Sequence, residues 1–224
     1  MKLKIVSLLR NITTMVLEEN PISLSFMAFA DLHQDTLSIV DAIPQIEDEL
    51  GLTTDIIIIA GDIGANEKRS LERKDVEPIY EIFRNRGYNV VGVLGNHDFV
   101  KRPMRHNILH GDVIEIKGLK FGGISGIIGM PWLPGRVSTE DYIHMYLKMI
   151  NTCDVLLTHE PPHLKAFSPS PHRKHISNYI GNNTGKLLLH VYGHIDPMRY
   201  GCMLTKINKT VLLNAYRKVI IGIA

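Results

Sequence analysis

The apolar run at residues 55–60, Asp-Ile-Ile-Ile-Ile-Ala, constrains the fold of this chain more than any other stretch. β-branched residues favour strands, and a run without polar alternation is typical of a strand that is buried on both faces. Such strands occur in parallel sheets whose two faces are both covered. Gly61 and Asp62 follow the run directly, so a carboxylate is predicted at the carboxyl end of a buried strand.

Strands and helices alternate on both sides of this run. Strands are predicted over residues 23–30 and 89–94, and helices with one apolar face over 36–50 and 76–86. Pro44 falls inside the first helix, where proline disfavours the helical backbone. The alternation predicts an α/β domain, in which sites form at the carboxyl edge of the sheet.

The second half of the chain is predicted to contain two hairpins, a helix, two strands and two irregular segments. Stretches rich in Gly or Pro interrupt it, and long loops inside compact domains are often functional. The hairpins are predicted over 113–125 and 203–215, the helix over 139–151, the strands over 154–158 and 187–192, and the irregular segments over 122–135 and 160–176.

The N-terminal segment is predicted to be an amphipathic helix. Apolar residues follow helical spacing over residues 3–19, and Asn20-Pro21 ends the pattern. We therefore divide the chain into an N-terminal helix at 1–22 and a single domain at 23–224. The helix is expected to dock on the domain through its apolar face, with a homodimer contact or a weak membrane-surface anchor as alternatives.

The composition is that of an ordinary globular domain and argues against several classes of function. The 224 residues are 45% hydrophobic and carry a net charge of +2, which disfavours a strongly basic nucleic-acid-binding protein. The sequence shows neither an apolar run of about eighteen residues nor a secretory signal, so no membrane span is expected.

Cys153 and Cys202 lie far apart, which favours a reducing, cytoplasmic location and leaves one disulfide as an alternative.

Five predicted strand ends carry side chains of the types that bind metals. Each end alone has a structural explanation, since asparagine and aspartate form turns and a lone histidine is usually satisfied locally. Five such ends in one α/β chain instead indicate a site. Carboxylates, imidazoles and an amide oxygen suit divalent ions, and their number favours two ions joined by a bridging carboxylate. The residues are Asp31 and His33, Asp62, Asn96 and His97, His159, and His194 with Asp196.

These motifs resemble those of the calcineurin-like metallophosphoesterases. The His-Glu-Pro-Pro stretch at 159–162 is similar to the phosphodiesterase-like branch rather than to the protein serine/threonine phosphatases. The resemblance implies a four-layer α/β/β/α sandwich, with mixed sheets inside and helices on the outer faces. It rests on Asp31-x-His33, Gly61-Asp62, Gly95-Asn96-His97-Asp98, Thr158-His159 and Gly193-His194-x-Asp196, in the family's order between about residues 23 and 215.

The resemblance also implies a role for each residue. Asp62 would bridge two ions, and a bridging hydroxide would attack phosphorus in line. His97 would protonate the leaving group or stabilise the transition state, and Asp98 would orient its imidazole. One ion would be held by Asp31, His33, Asp62 and Asp196, and the other by Asp62, Asn96, His159 and His194.

Asp196 departs from the family pattern, which usually has a second histidine at this position. A third carboxylate adds a hard oxygen ligand to this half of the site. Hard ligands favour Mn²⁺ or Fe²⁺, with Zn²⁺ as an alternative. The structural alternative is that Asp196 caps the turn before Pro197 and that one ion is weakly held.

The expected function is hydrolysis of phosphodiesters or phosphomonoesters by a dinuclear metal-dependent phosphoesterase. A small substrate such as a cyclic nucleotide is favoured over nucleic acid, because a nuclease needs a groove lined with basic residues. A nuclease of the same superfamily and a non-catalytic scaffold are the alternatives, and the nearly complete ligand set argues against the scaffold. Candidates for gripping a substrate are Trp132 and the cationic loop residues Arg102, Arg105, His106, Arg136, His163, His172, Arg173, Lys174 and His175.

Overall fold

A computed structural model shows a mixed α/β protein with several sheets and helices. It describes residues 2–6, 12–16, 24–33, 36–51, 53–64, 73–102, 106–167, 173–197, 203–217 and 219–223. The helices are α1 (Thr36–Leu50), α2 (Glu77–Asn85), α3 (Thr139–Thr152) and α4 (Lys174–Ile180). The strands are β1 (Lys2–Val6), β2 (Ile12–Val16), β3 (Ser25–Phe29), β4 (Ile56–Ala60), β5 (Lys74–Asp75), β6 (Asn89–Val93), β7 (Asp98–Phe99), β8 (Val113–Ile116), β9 (Leu119–Ile124), β10 (Ile127–Ile128), β11 (Arg136–Val137), β12 (Val155–Thr158), β13 (Leu189–Tyr192), β14 (Leu204–Ile207), β15 (Thr210–Asn214) and β16 (Val219–Ile223).

Two six-stranded sheets form the frame of the molecule. The first has the strand order β2-β1-β16-β3-β4-β6, and the second has the order β14-β15-β13-β12-β9-β8. The strands β3, β4 and β6 are parallel, as the alternation of strands and helices predicts. The strands β9, β12, β13 and β15 form a second parallel group, flanked by antiparallel β8 and β14. Both sheets are therefore mixed.

Three apolar clusters join the sheets and helices. One cluster contains residues of both six-stranded sheets, a second joins the first sheet to α1 and α2, and a third joins the second sheet to α3 and α4. Along β3, Phe26 and Ala28 belong to the cluster between the sheets, whereas Met27 and Phe29 belong to the cluster beneath the helices. This is the period-two alternation of a strand covered on both faces. The clusters support the four-layer order, which stays a prediction.

The predicted helix over residues 3–19 is wrong, because two strands occupy this segment. β1 pairs antiparallel with β2 on one side and with β16 on the other. Helical spacing of apolar residues did not decide the outcome, since β16 supplies a hydrogen-bonding partner from the far end of the chain. The boundary after residue 22 stays a prediction, and the proposed dimer contact loses the helix on which it was based.

Other elements differ from the prediction in smaller ways. The first helix is continuous through Pro44. The segment 160–176 was expected to be irregular, but α4 begins at Lys174, and the prediction also missed β16. The hairpins formed by β8 with β9 and by β14 with β15 are confirmed.

None of the helices in the described ranges has the length and apolar character that a membrane span needs.

Candidate metal centre

The carboxyl ends of strands from both sheets meet at one place. Asp31 and His33 follow β3, Asp62 follows β4, and His159 and His194 follow β12 and β13 of the second sheet. The sheets pack face to face through their shared apolar cluster, so chain segments far apart in sequence converge at this edge. Residues carrying these functional side chains therefore come together only because both sheets form.

Four residues of the site have left-handed backbone conformations. The φ angles of Asp31, His33, Asp62 and His194 are 54°, 50°, 52° and 67°. Such angles are uncommon for residues other than glycine, and they cluster at functional sites. Backbone hydrogen bonds hold two of these turns against each other, since Asp31 N donates to Gly61 O at 2.9 Å and His33 N donates to Asp62 O at 3.1 Å.

Two glycines leave room for the carboxylates. A Cβ atom added to Gly95 would lie 1.9 Å from Asp62 Oδ1, and one added to Gly193 would lie 2.6 Å from Asp31 Oδ2. Both distances are shorter than any atom could tolerate without displacement of the carboxylate. The backbone N–H of His194 donates to Asp31 Oδ2 at 2.7 Å, and that of His97 donates to Asp62 Oδ1 at 2.8 Å.

Four predicted ligands form a compact group. Asp31, Asp62, His159 and His194 each offer one ligand atom, and these atoms all lie within 4.8 Å of one another. His159 Nδ1 donates to the carbonyl oxygen of Ala60 at 2.8 Å, which leaves the lone pair on Nε2. That Nε2 atom lies 3.2 Å from Asp62 Oδ2. Three of the four side chains are almost completely buried, and His194 is partly buried.

The two buried carboxylates of this group favour a positive charge beside them. Burial raises the pKa of Asp31 to about 7, and the charge of Asp62 adds to this shift, against the opposing effect of His159. Burial also acts to raise the pKa of Asp62, but the charge and hydrogen bond of His159 together with the contacts of His97 outweigh it and lower that pKa. Burial acts to lower the pKa of His159, yet the two carboxylates raise it to about 10. Without a metal ion, a proton on His159 supplies the positive charge beside the two carboxylates. A bound metal ion would displace that proton and supply the positive charge itself.

Three other predicted residues add unpartnered polar atoms at the same edge. His33 Nδ1, Asn96 Oδ1 and His97 Nδ1 are buried and have no hydrogen-bond partner among the residues that the structure describes. The rings of His33 and His97 lie 6.1 Å apart between centroids. Buried polar atoms without partners are costly, so each needs an explanation such as a bound ion. The donor set of carboxylate, imidazole and amide oxygen fits divalent ions.

Asp196 is not part of the four-residue group. Its side chain is half-buried on the turn that carries His194. Its predicted role as a ligand stays a prediction.

Asp98 makes backbone contacts that the sequence did not predict. Its buried carboxylate accepts backbone hydrogen bonds from Asp62 at 2.6 Å, from Ile63 and Gly64 at 3.1 Å, and from Gly95 at 3.1 Å. These bonds hold the turns after β4 and β6 together, and the role of Asp98 in orienting the ring of His97 stays a prediction. Burial raises the pKa of Asp98 to about 7, and the charge of Asp62 acts in the same direction.

A buried network that the sequence analysis did not assign supports the loop after β12. Glu160 accepts hydrogen bonds from Ile128 N at 2.9 Å, from His163 Nε2 at 2.6 Å and from the guanidinium of Arg173. The His-Glu-Pro-Pro stretch is recognisable in the sequence. The partners of Glu160 are not, because two of them come from other segments of the chain. The network fixes the residue that follows His159 in the chain.

The cations proposed to grip a substrate fall into different environments. His106 is buried and lies 3.1 Å from Glu77, and His163 and Arg173 belong to the Glu160 network. Arg136 borders a cavity beside the metal centre, whereas Trp132 is 75% exposed. Arg102, Lys174 and His175 are exposed, and Arg105 and His172 lie outside the described residues.

Comparison with known proteins identifies the family. The family model for calcineurin-like phosphoesterases matches residues 24–197. The fold is similar to that of the protein TT1561 from Thermus thermophilus, with a TM-score of 0.59 and 14% identity, over 90% of this chain and 99% of that one. It is also similar to a phosphatase from Mycoplasma pneumoniae, with a TM-score of 0.51 and 14% identity, over 87% of this chain and 72% of that one.

No curated protein matches the chain. At 14% identity the solved structures show the fold alone. The family model covers most of the sequence and includes all nine predicted site residues, from Asp31 to Asp196. The chain therefore belongs to the calcineurin-like phosphoesterase family.

Proposed function

We propose that this protein is a dinuclear metal-dependent phosphoesterase that hydrolyses small phosphate esters. The observation that carries the proposal is the group formed by Asp31, Asp62, His159 and His194, whose ligand atoms lie within 4.8 Å of one another. The family match and the phosphatase among the structural neighbours support the same reaction class.

We assign the residues at the strand ends to two ions that share one carboxylate. Asp31, His33, Asp62 and Asp196 would hold the first ion, and Asp62, Asn96, His159 and His194 would hold the second. When bound, two divalent ions supply Lewis acidity and lower the pKa of water towards neutral. The carboxylates favour Mn²⁺ or Fe²⁺, and Zn²⁺ is the alternative.

His97 is the proposed proton donor to the leaving group. Its backbone N–H is fixed by Asp62 at 2.8 Å, which anchors the residue next to the metal ligands. His97 is partly exposed, and its buried Nδ1 has no hydrogen-bond partner among the described residues, so no such bond to Nδ1 competes with a proton transfer by the imidazole. An imidazole is the side chain best suited to donate a proton near pH 7.

Asp98 is proposed as a positioning residue. It holds the backbone of the Asp62 turn and of the Gly95 turn at once. It therefore fixes the distance between the shared ligand Asp62 and the segment that carries Asn96 and His97.

A cytoplasmic location, a small-molecule substrate and the homodimer stay predictions.

The proposal is tested by turnover of bis(p-nitrophenyl) phosphate and of p-nitrophenyl phosphate. The chelated protein is expected to be inactive, and Mn²⁺ is expected to restore turnover with a stoichiometry of two ions per chain. Asp62→Asn should lose the activity and the binding of both ions, whereas Asp112→Asn, at an exposed site, should keep them. Absence of turnover with every divalent metal would contradict the proposal and favour a non-catalytic binding protein.

A further inference from the structure

A cavity adjoins the metal centre on the side of the Gly95 turn. Its volume is about 280 Å³. Gly95 and Gly135 form part of its wall, and a Cβ atom on Gly135 would lie 2.8 Å from Asn96 Cα. The cavity is thus separated from a proposed metal ligand by one layer of backbone. It is smaller than a typical site for a whole ligand, which suits one distal group of a substrate.

Two arginines supply the charge of this cavity. Arg73 and Arg136 both line it, and no carboxylate is among the described residues of its lining. Apolar side chains, including Leu94, Ile108 and Val137, form much of the remaining wall. Charges beside apolar walls interact more strongly than charges in water. The cavity therefore favours an anion.

Each guanidinium retains a buried hydrogen-bond donor. Arg136 Nη1 and Arg73 Nε are buried and have no partner in the part of the chain that the structure describes. Gly129 packs against the stem of Arg136, and Arg73 is held by the carbonyl oxygen of Asp98 and by the ring of Phe99 at 6.0 Å. Both arginines are therefore positioned by the protein, and each keeps hydrogen-bonding capacity that the described contacts do not use.

The cavity lies directly beside the proposed metal ligands. Gly95, in its wall, precedes Asn96 in the chain, and Gly135, also in its wall, lies against the backbone of Asn96. We therefore expect an anionic group in the cavity to belong to the same molecule whose ester lies at the metal centre.

We propose that Arg73 and Arg136 bind a second phosphate group of the substrate, so that the enzyme prefers esters carrying a phosphate beyond the one it hydrolyses. This inference rests on the proposed function. A phosphate fits better than a carboxylate because its charge near −2 matches two guanidinium groups, and each guanidinium can donate two parallel hydrogen bonds.

The test uses two substrates that differ only in the distal phosphate. These are thymidine 5′-(p-nitrophenyl phosphate) and the same ester bearing a 3′-phosphate. Wild-type protein is expected to show a kcat/KM at least about tenfold higher for the ester with the 3′-phosphate, as one charge-assisted hydrogen bond would give. Arg136→Gln and Arg73→Gln should each reduce this ratio towards one. Arg84→Gln, on the exposed side of α2, should leave the ratio unchanged.

A binding measurement separates this inference from the proposed function. Calorimetry of the Mn²⁺-loaded protein should show tighter binding of thymidine 3′,5′-bisphosphate than of thymidine 5′-phosphate, by at least about tenfold. The difference should disappear in both arginine variants, and melting curves show which variants are folded. Equal affinities, or equal kcat/KM values, in the wild type overturn the inference. Absence of turnover with both esters, together with the expected binding preference, overturns the proposed function but supports the cavity.

Discussion

The carboxylate of Asp98 accepts a hydrogen bond from the backbone N–H of Asp62 at 2.6 Å. The same carboxylate accepts from the N–H of Gly95 at 3.1 Å, so one side chain ties the turn after β4 to the turn after β6. Asp62 in turn accepts a hydrogen bond from His97 N. The proposed bridging ligand and the proposed acid are therefore connected through a short chain of hydrogen bonds.

We expect Asp98→Asn to lower stability and metal affinity. The amide offers one acceptor oxygen where the carboxylate offers two, so buried backbone N–H groups lose partners at a cost of about 1–3 kcal/mol. The turn that carries Asp62 should loosen, which lowers metal affinity by about 10–100-fold. Urea unfolding and calorimetric Mn²⁺ titration measure the two effects. Unchanged Mn²⁺ affinity in a folded variant would show that Asp98 does not position the ligands, and Asp112→Asn provides the exposed control.

His97→Ala should lower kcat while leaving Mn²⁺ binding intact. General acid catalysis contributes about 10²–10⁴-fold, and the backbone N–H that Asp62 uses is kept in alanine. The loss should be smaller for p-nitrophenyl esters than for alkyl esters, since nitrophenolate leaves without protonation. Steady-state rates on both kinds of ester measure this difference. The matched variant His144→Ala, at an exposed site on α3, should retain full activity, and an equal loss for both esters would argue against the acid role.

Stability is expected to fall in acid through His190. Burial lowers the pKa of His190 to about 3, and its Nε2 lies 2.9 Å from Thr158 Oγ1. In the unfolded chain His190 binds a proton below about pH 6.5, whereas in the folded chain it stays neutral down to about pH 3. The stabilisation by neutral His190 is therefore complete above pH 6.5 and is lost as the pH falls towards 3. The slope is about 1.4 kcal/mol per pH unit. Between about pH 4 and 6, unfolding of His190→Gln should depend less on pH than that of the wild type by about this amount. Parallel profiles would refute the assignment.

Glu160→Gln should destabilise the loop after β12. The carboxylate receives hydrogen bonds from Ile128, His163 and Arg173 and is nearly completely buried. The amide cannot serve all three donors, so we expect a loss of about 1–3 kcal/mol in urea unfolding. Glu115→Gln, at an exposed position on β8, should change stability by less than about 0.5 kcal/mol. Similar losses in both variants would mean that the network does not contribute.

Local sequence determined the central elements of this protein and the chemistry of its strand ends. The isoleucine run at 56–59 and the apolar run at 90–93 form buried parallel strands because each residue must be apolar when both faces are covered. The polar residues that follow them were recognisable as candidate ligands for the opposite reason. Asp62 and Asn96 contribute nothing to an apolar core and need partners.

Tertiary structure decided how distant segments pair and which groups meet. Apolar residues over 3–19 follow helical spacing, yet Lys2–Val6 forms a strand because β16, near the other end of the chain, pairs with it. Asp98 stands next to His97 in sequence, but its carboxylate binds backbone N–H groups of residues 62–64 that the fold brings to it. Local periodicity cannot report such long-range hydrogen bonds, because they exist only after both sheets have packed together.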